Sequence, residues 1–80
     1  MDKALARHIV GAAFRSSGVL EELIPLLKAH CNEEEGKQFG LAIAHAISHI
    51  HREVTDRVFS SHPQLKEEVE NSISTYGRIL

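Results

Sequence analysis

Three histidines, His45, His49 and His51, fall within seven consecutive positions of a chain that contains six histidines in all. His45 and His49 are four residues apart, so an α-helix would place them on one face, where they could chelate one metal ion. Zinc sites use at least three protein ligands, and Glu53 is a candidate for the third. The spacing therefore predicts a divalent transition-metal site of His45, His49 and Glu53, to which a two-fold dimer would contribute four histidines. No other cofactor is predicted.

The same histidines support two further hypotheses. His49 and Arg52 have the spacing of a phosphohistidine and a basic partner, but the glycine and lysine that usually follow such a histidine are missing. Histidine also changes charge near neutral pH, so an interface that contains His45, His49 and His51 would weaken as they become protonated. A solvated or interfacial histidine pair is the simplest alternative to all of these functions.

Cys31 follows His30 at a junction between two predicted helices. Nucleophilic catalysis requires a base and a third group that are oriented in space, and adjacency in sequence does not supply this. A lone cysteine in such a position is more often a small buried hydrophobic residue. We therefore predict that the protein is not an enzyme.

Length and charge exclude nucleic-acid binding. The chain has 80 residues and a net charge of −2, and its nine lysines and arginines are scattered from Lys3 to Arg78. Such a length allows one domain, 1–80, and the basic stripe of a nucleic-acid binder is absent. Four aromatic residues are too few for a base-stacking platform.

Apolar runs are short throughout the chain. No stretch of 18 apolar residues occurs, so we expect no membrane-spanning helix. Arg7 and His8 interrupt the apolar run that a secretory signal requires. The single cysteine excludes a disulfide framework and fits a reducing compartment. These features predict a cytoplasmic protein.

Helix signals dominate the first half of the sequence. Asp2 is a candidate N-cap for a first helix. The segment 16–18, Ser-Ser-Gly, predicts a break in that helix. Pro25 lies within the next apolar segment, where it removes one backbone hydrogen bond and crowds the preceding turn. We expect either a kink at Pro25 or a second helix that begins late enough to hold Pro25 in its first turn.

The second half has clearer boundaries. Asn32, with Glu35 three residues later, matches the capping-box pattern and predicts the start of a long central helix over about 33–60. Pro63 suits the first turn of a last helix, which Gly77 is expected to end. These elements predict an all-α fold, a small antiparallel bundle of three to four helices. The predicted buried stripes are Phe39, Ile43, Ala46, Ile47, Ile50, Val54 and Val58 in the central helix, and Leu65, Val69, Ile73, Tyr76 and Leu80 in the last.

The central helix has more apolar surface than one chain can cover. His45 and His49 point away from its apolar stripe, but Leu41 and Ala44 make its first half apolar nearly all round. A helix that is apolar all round is usually buried all round, and a second copy could provide the cover. We therefore predict a small interaction or regulatory module that self-associates, preferably as a dimer, or binds a partner's helix. The candidate interface residues are Leu41, Ala44, His45, Ser48, His49 and Arg52.

Overall fold

The computed structural model describes residues 1–79, and within them every regular element is helical. The elements are α1 (Lys3–Glu21), α2 (Leu23–His30), α3 (Glu33–Ile50), a π-helical turn (His51–Thr55), α4 (Asp56–Ser61) and α5 (Pro63–Tyr76). They form three rods: α1–α2, then α3 with the π-helical turn and α4, then α5. The prediction of an all-α bundle with a long central helix is confirmed. No helix among residues 1–79 has both the length and the hydropathy needed to cross a membrane.

The predicted helix ends are found where their capping residues lie. Asp2 Oδ1 accepts a hydrogen bond from the backbone N–H of Leu5 at 2.8 Å, and Asn32 Oδ1 accepts one from the N–H of Glu35 at 2.8 Å. Each bond satisfies a donor that the first helical turn leaves without a partner. Pro63 begins α5, and Gly77 ends it in the left-handed conformation, with φ of 75°.

The predicted break at 16–18 is wrong, because α1 continues through it to Glu21. The Ser17 hydroxyl donates to the carbonyl oxygen of Ala13 at 3.0 Å, and Ser17 is buried against the second rod. The break lies at Glu22 instead. Pro25 is the third residue of α2, and in a continuous helix its ring would clash with the carbonyl of Glu21. The alternative in which Pro25 lies in the first turn is therefore correct.

The hydrophobic core lies at one end of the molecule, where α1, α4 and α5 meet. Its buried residues contact the partly buried Ile9, Phe14, Phe59 and Ile79. The first two rods form a long helical hairpin, whose tip lies at residues 31–32. The α5 helix covers the opposite end of this hairpin, formed by α1 and α4, and ends well short of the tip. The buried hydrophobic residues are Ala6, Val10, Ala13, Val58, Leu65 and Val69.

In the stripe predicted for the central rod, Val58 is buried and Ile43, Ile47 and Ile50 are partly buried, but the prediction is wrong at three positions, Phe39, Ala46 and Val54, which are exposed. Phe39 is 56% exposed and Val54 is 37% exposed, while Thr55 is buried. The residues that pack inward include Ile47, His51 and Thr55, at two successive spacings of four. On a regular α-helix each such step drifts by about 40°, and the wider π-helical turn absorbs this drift. In the last helix Ile73 and Tyr76 are also exposed, and Leu80 lies outside the described residues.

The molecule is long and thin. Its extents are 45 × 25 × 15 Å and its radius of gyration is 14.9 Å, against about 12 Å for a compact chain of this length. The cause is the unequal length of the rods. Each rod of the hairpin spans about 42 Å, but the 14 residues of α5 span only about 21 Å. Half of the hairpin therefore has no third layer.

Candidate functional site

The six interface residues predicted from the sequence lie on exposed surface of the central rod. His45 and His49 point away from the packed side of α3, as their helical positions predicted. The guanidinium of Arg52 donates from Nη2 to Nδ1 of His49 at 2.9 Å. Because Nδ1 accepts this bond, His49 would have to leave Arg52 in order to bind a metal through that atom. All six residues, Leu41, Ala44, His45, Ser48, His49 and Arg52, are exposed.

The structure does not assemble the predicted metal ligands into one group. Glu53 is directed instead to Arg57, with Nη2–Oε2 at 3.0 Å, and to Arg52, with Nε–Oε1 at 3.8 Å. Among residues 1–79 no set of three or more histidine, cysteine, aspartate or glutamate side chains is arranged to hold a metal ion. His45 and His49 by themselves supply two ligands, and a site completed by a second copy stays a prediction.

His51 differs from the other two histidines because it points into the contact between the two long rods. Its Nε2 lies 3.3 Å from Ser17 Oγ and its Nδ1 lies 3.1 Å from Thr55 Oγ1. Its ring meets that of Phe14 edge-on, with centroids 5.0 Å apart. Since the Ser17 hydroxyl donates to Ala13, its oxygen accepts from Nε2–H, and Nδ1 accepts from the Thr55 hydroxyl.

This arrangement does not make Ser17 a nucleophile. A serine nucleophile gives its proton to the histidine, and an acidic group usually orients the other ring nitrogen. Here the Ser17 proton is directed to a backbone carbonyl, and the group at the other nitrogen is a hydroxyl. The contact between Ser17, His51 and Thr55 therefore joins the rods through satisfied hydrogen bonds.

Cys31 is half-buried at the hairpin tip. A hydrogen bond to Glu35, partial burial and the negative charge of that carboxylate raise the pKa of the Cys31 thiol. A raised pKa keeps the thiol protonated, and the thiolate is the nucleophilic form. This environment is the opposite of the one that activates a catalytic cysteine.

Large apolar side chains are exposed on the two helices that form the tip half of the hairpin, α2 and α3. Neither α2 nor α3 contains a buried residue. Leu23 is 41% exposed and Leu26 is 53% exposed on α2, and Phe39 is 56% exposed on α3. These are large side chains near the tip, beyond the part of the hairpin that α5 covers.

Helix geometry assigns Leu23 and Phe39 to one side of the hairpin, away from the groove between α1 and α5. The groove between α1 and α5 is lined by Arg7 and Gly11. Ile9 lies about 200° from each of them around α1, and it lines a separate groove of about 350 Å³ with Val54. Leu20 lies about 20° from Ile9 on α1, and we extend this row beyond the break at Glu22 to Leu23 and Leu27, which are four residues apart on α2. We call the hairpin face the surface formed by Ile9, Leu20, Leu23, Leu27, Phe39, Ile43, Ala46, Ile50 and Val54.

Sequence reasoning missed this face because it assigned Phe39, Ile43 and the other members of their stripe to the core of a single chain. Their helical spacing is that of core residues, and spacing does not tell which chain covers them. The sequence does indicate this exposure through the length of its last helix compared with the lengths of the two hairpin rods. A last helix of 14 residues is half as long as each hairpin rod, so it leaves half of the hairpin without cover.

Comparison of this chain with protein-family models, with curated proteins and with solved structures gives no match.

Proposed function

We propose that this chain is a non-enzymatic helical module that self-associates through the hairpin face. One observation supports this above all. The accessible surface of the chain is 5813 Å², whereas a compact monomer of 8.9 kDa exposes about 4,800 Å². The excess of about 1,000 Å² is close to the roughly 800 Å² that each partner buries in a stable interface of standard size.

The chemistry of the exposed surface supports a helical partner. Leu23 and Phe39 are exposed members of the hairpin face, side chains of a kind whose burial drives folding and association, and each rod of the hairpin contributes one row of such residues. Two copies of the hairpin packed face to face would form a four-helix bundle, in which each helix buries an apolar stripe. A cytoplasmic location is part of the proposal, and its support is the lone cysteine.

Two matched substitutions test which face associates. Phe39 and Leu41 are 56% and 59% exposed, and they lie about 200° apart on α3. Phe39 belongs to the hairpin face, and Leu41 belongs to the face predicted from the sequence. We expect Phe39→Glu to give the mass of one chain in sedimentation equilibrium at tens of micromolar, because it places a charge in the apolar contact. Leu41→Glu is expected to keep the mass of the unmodified protein.

The opposite pattern, with Leu41→Glu monomeric and Phe39→Glu unchanged, would transfer the interface to the face of Leu41, Ala44 and Ser48. A mass that falls on addition of EDTA would instead favour the metal site at His45 and His49. An unmodified protein that is monomeric throughout would rule out self-association, and the hairpin face would then be a candidate for a helix of another protein.

A further inference from the structure

We infer that the groove between α1 and the C-terminal end of α5 binds a small amphiphile that consists of an anionic head group and a short apolar chain. The groove has a volume of about 670 Å³, within the range of about 300–1,000 Å³ that is usual for small-molecule sites. It lies on the side of α1 away from Ile9 and the hairpin face. The inference is therefore independent of the proposed self-association, and the groove would stay open in a dimer formed through that face.

Positive charge is concentrated on this groove. Three of the five arginines of the chain line it, Arg7, Arg15 and Arg78, although the net charge of the protein is −2. Of the described residues that line the groove, none is acidic. Arg7 pairs with Glu68 at 2.7 Å, but the same carboxylate also pairs with Lys3 at 2.7 Å. One negative charge there faces two positive ones, so the pair leaves the groove positive.

Arg15 and Arg78 have no carboxylate partner. Neither forms an ion pair in the part of the chain that the structure describes. Glu22 is on the same side of α1 as Arg15 but seven residues away, and Glu70 is seven residues from Gly77 on α5. Seven residues of helix span about 10 Å, which exceeds the Debye length of about 8 Å at physiological ionic strength. Both guanidinium groups therefore keep most of their charge for a bound anion.

Local backbone features place these two arginines on opposite walls of the groove. A Cβ atom at Gly11 would lie 3.2 Å from Nη1 of Arg15, so the guanidinium lies back over α1 in the space that the glycine leaves. On the other wall, Gly77 ends α5 with φ of 75° and the chain turns back. The Ser72 hydroxyl then donates to the carbonyl oxygen of Arg78 at 2.9 Å, which holds Arg78 beside the groove.

The rest of the lining is largely apolar. Phe14 on α1 lies across from Ile73 and Ile79, and Ile73 is 36% exposed. An apolar surface with a few charged groups is the usual composition of a small-molecule site. Guanidinium groups bind carboxylates and phosphates through two parallel hydrogen bonds. The lining therefore fits an alkyl carboxylate or an alkyl phosphate, whose chain would cover the apolar residues.

Titration with decanoate and with decyl phosphate, below the concentrations at which they form micelles, tests the inference. Amide shifts in proton–nitrogen correlation NMR spectra report both the affinity and the location of binding. We expect saturable shifts centred on residues 11–15 and 73–79, and the tighter ligand identifies the preferred head group. Decanol, which has the same chain without a charge, is expected to bind about tenfold more weakly, because it forms no charge-assisted hydrogen bonds.

Two double variants with the same change in charge locate the site. Arg15→Gln with Arg78→Gln removes both unpaired guanidinium groups and keeps Arg7 in its contact with α5. This variant is expected to bind decanoate about tenfold more weakly than the unmodified protein. Lys28→Gln with Lys37→Gln changes the groove at the hairpin tip, which those lysines line, and should leave decanoate binding unchanged.

The remaining outcomes would each overturn the inference. Absence of saturable shifts with either ligand, or equal binding of decanol, would rule out recognition of an anion in this groove. Loss of binding only in the lysine variant would transfer the site to the hairpin tip. A mass of one chain for the arginine variant, where the unmodified protein has the mass of two, would show that a second copy occupies the groove instead.

Discussion

At the scale of single residues, His51 has a structural role that His45 and His49 do not share. His51 links Ser17 on α1 to Thr55 on the central rod, and both hydroxyls are buried. Helical periodicity did not predict this position, because on a regular helix residue 51 belongs neither to the apolar stripe nor to the face of His45 and His49. The π-helical turn that begins at His51 directs it inward. Such turns have no simple signal in the periodicity of a sequence.

Replacement of His51 by alanine is expected to destabilise the fold by about 1–3 kcal/mol, because the Thr55 hydroxyl loses its partner inside the contact. His49→Ala, on the exposed face of the same helix, is the matched control and should change stability little. Urea unfolding followed by circular dichroism measures both. Equal midpoints for the two variants would contradict the assigned contact.

A second contact between single residues holds α5 against α1. Lys3 Nζ and Arg7 Nη2 each lie 2.7 Å from a carboxylate oxygen of Glu68. The hydrogen bond from Lys3 and the positive charges of Lys3 and Arg7 outweigh partial burial and lower the pKa of Glu68. The stabilising effect is fully present above the ordinary carboxylate pKa of about 4.3, and it is lost as the pH falls through the lowered value in the folded state.

Glu68→Gln should therefore lower the melting temperature at pH 7 by a few degrees at most, since the pair is partly exposed and screened by solvent. The difference from the unmodified protein should shrink as the pH falls below 4. Glu67→Gln, on the exposed surface of the same helix, serves as the control. A difference that persists unchanged at low pH would show that the effect of Glu68 is not electrostatic.

At the scale of the elements, the helix ends were predictable and the continuity of the helices was less so. The helix ends depend on local backbone geometry, which can be predicted from residue type alone. This holds for Asp2, Asn32, Pro63 and Gly77. The segment 16–18 has the composition of a break but is helical, because Ser17 finds hydrogen bonds at Ala13 and His51 that only the tertiary structure provides. Local signals were reliable where no distant partner competed with them.

Two glycine substitutions test the helix boundaries, Gly18 within α1 and Gly77 at the end of α5. A Cβ atom at Gly18 would meet no atom within 4 Å, so Gly18→Ala should stabilise the protein by about 0.5–1 kcal/mol through helix propensity. Gly77→Ala should destabilise it by about 1–2 kcal/mol, because φ of 75° is unfavourable for a residue with a Cβ. Thermal unfolding measures both. Destabilisation by Gly18→Ala would indicate that α1 does break near residue 18.

At the scale of the whole molecule, three rods of unequal length leave one side of the hairpin exposed. The sequence predicted an over-apolar central helix, and the structure adds the position of the exposed surface, with Leu23, Leu26 and Phe39 near the tip. The residues predicted as an interface, from Leu41 to Arg52, lie on a different flank of the same helix. That distinction depends on where α5 packs, which periodicity alone does not contain.

The central claim is that this chain buries the hairpin face against a second copy of itself. The most direct test is sedimentation equilibrium of the unmodified protein over a range from about one to several hundred micromolar at neutral pH. The claim predicts a mass of twice 8.9 kDa at the higher concentrations, with dissociation on dilution as mass action requires. A mass of one chain at every concentration would contradict it.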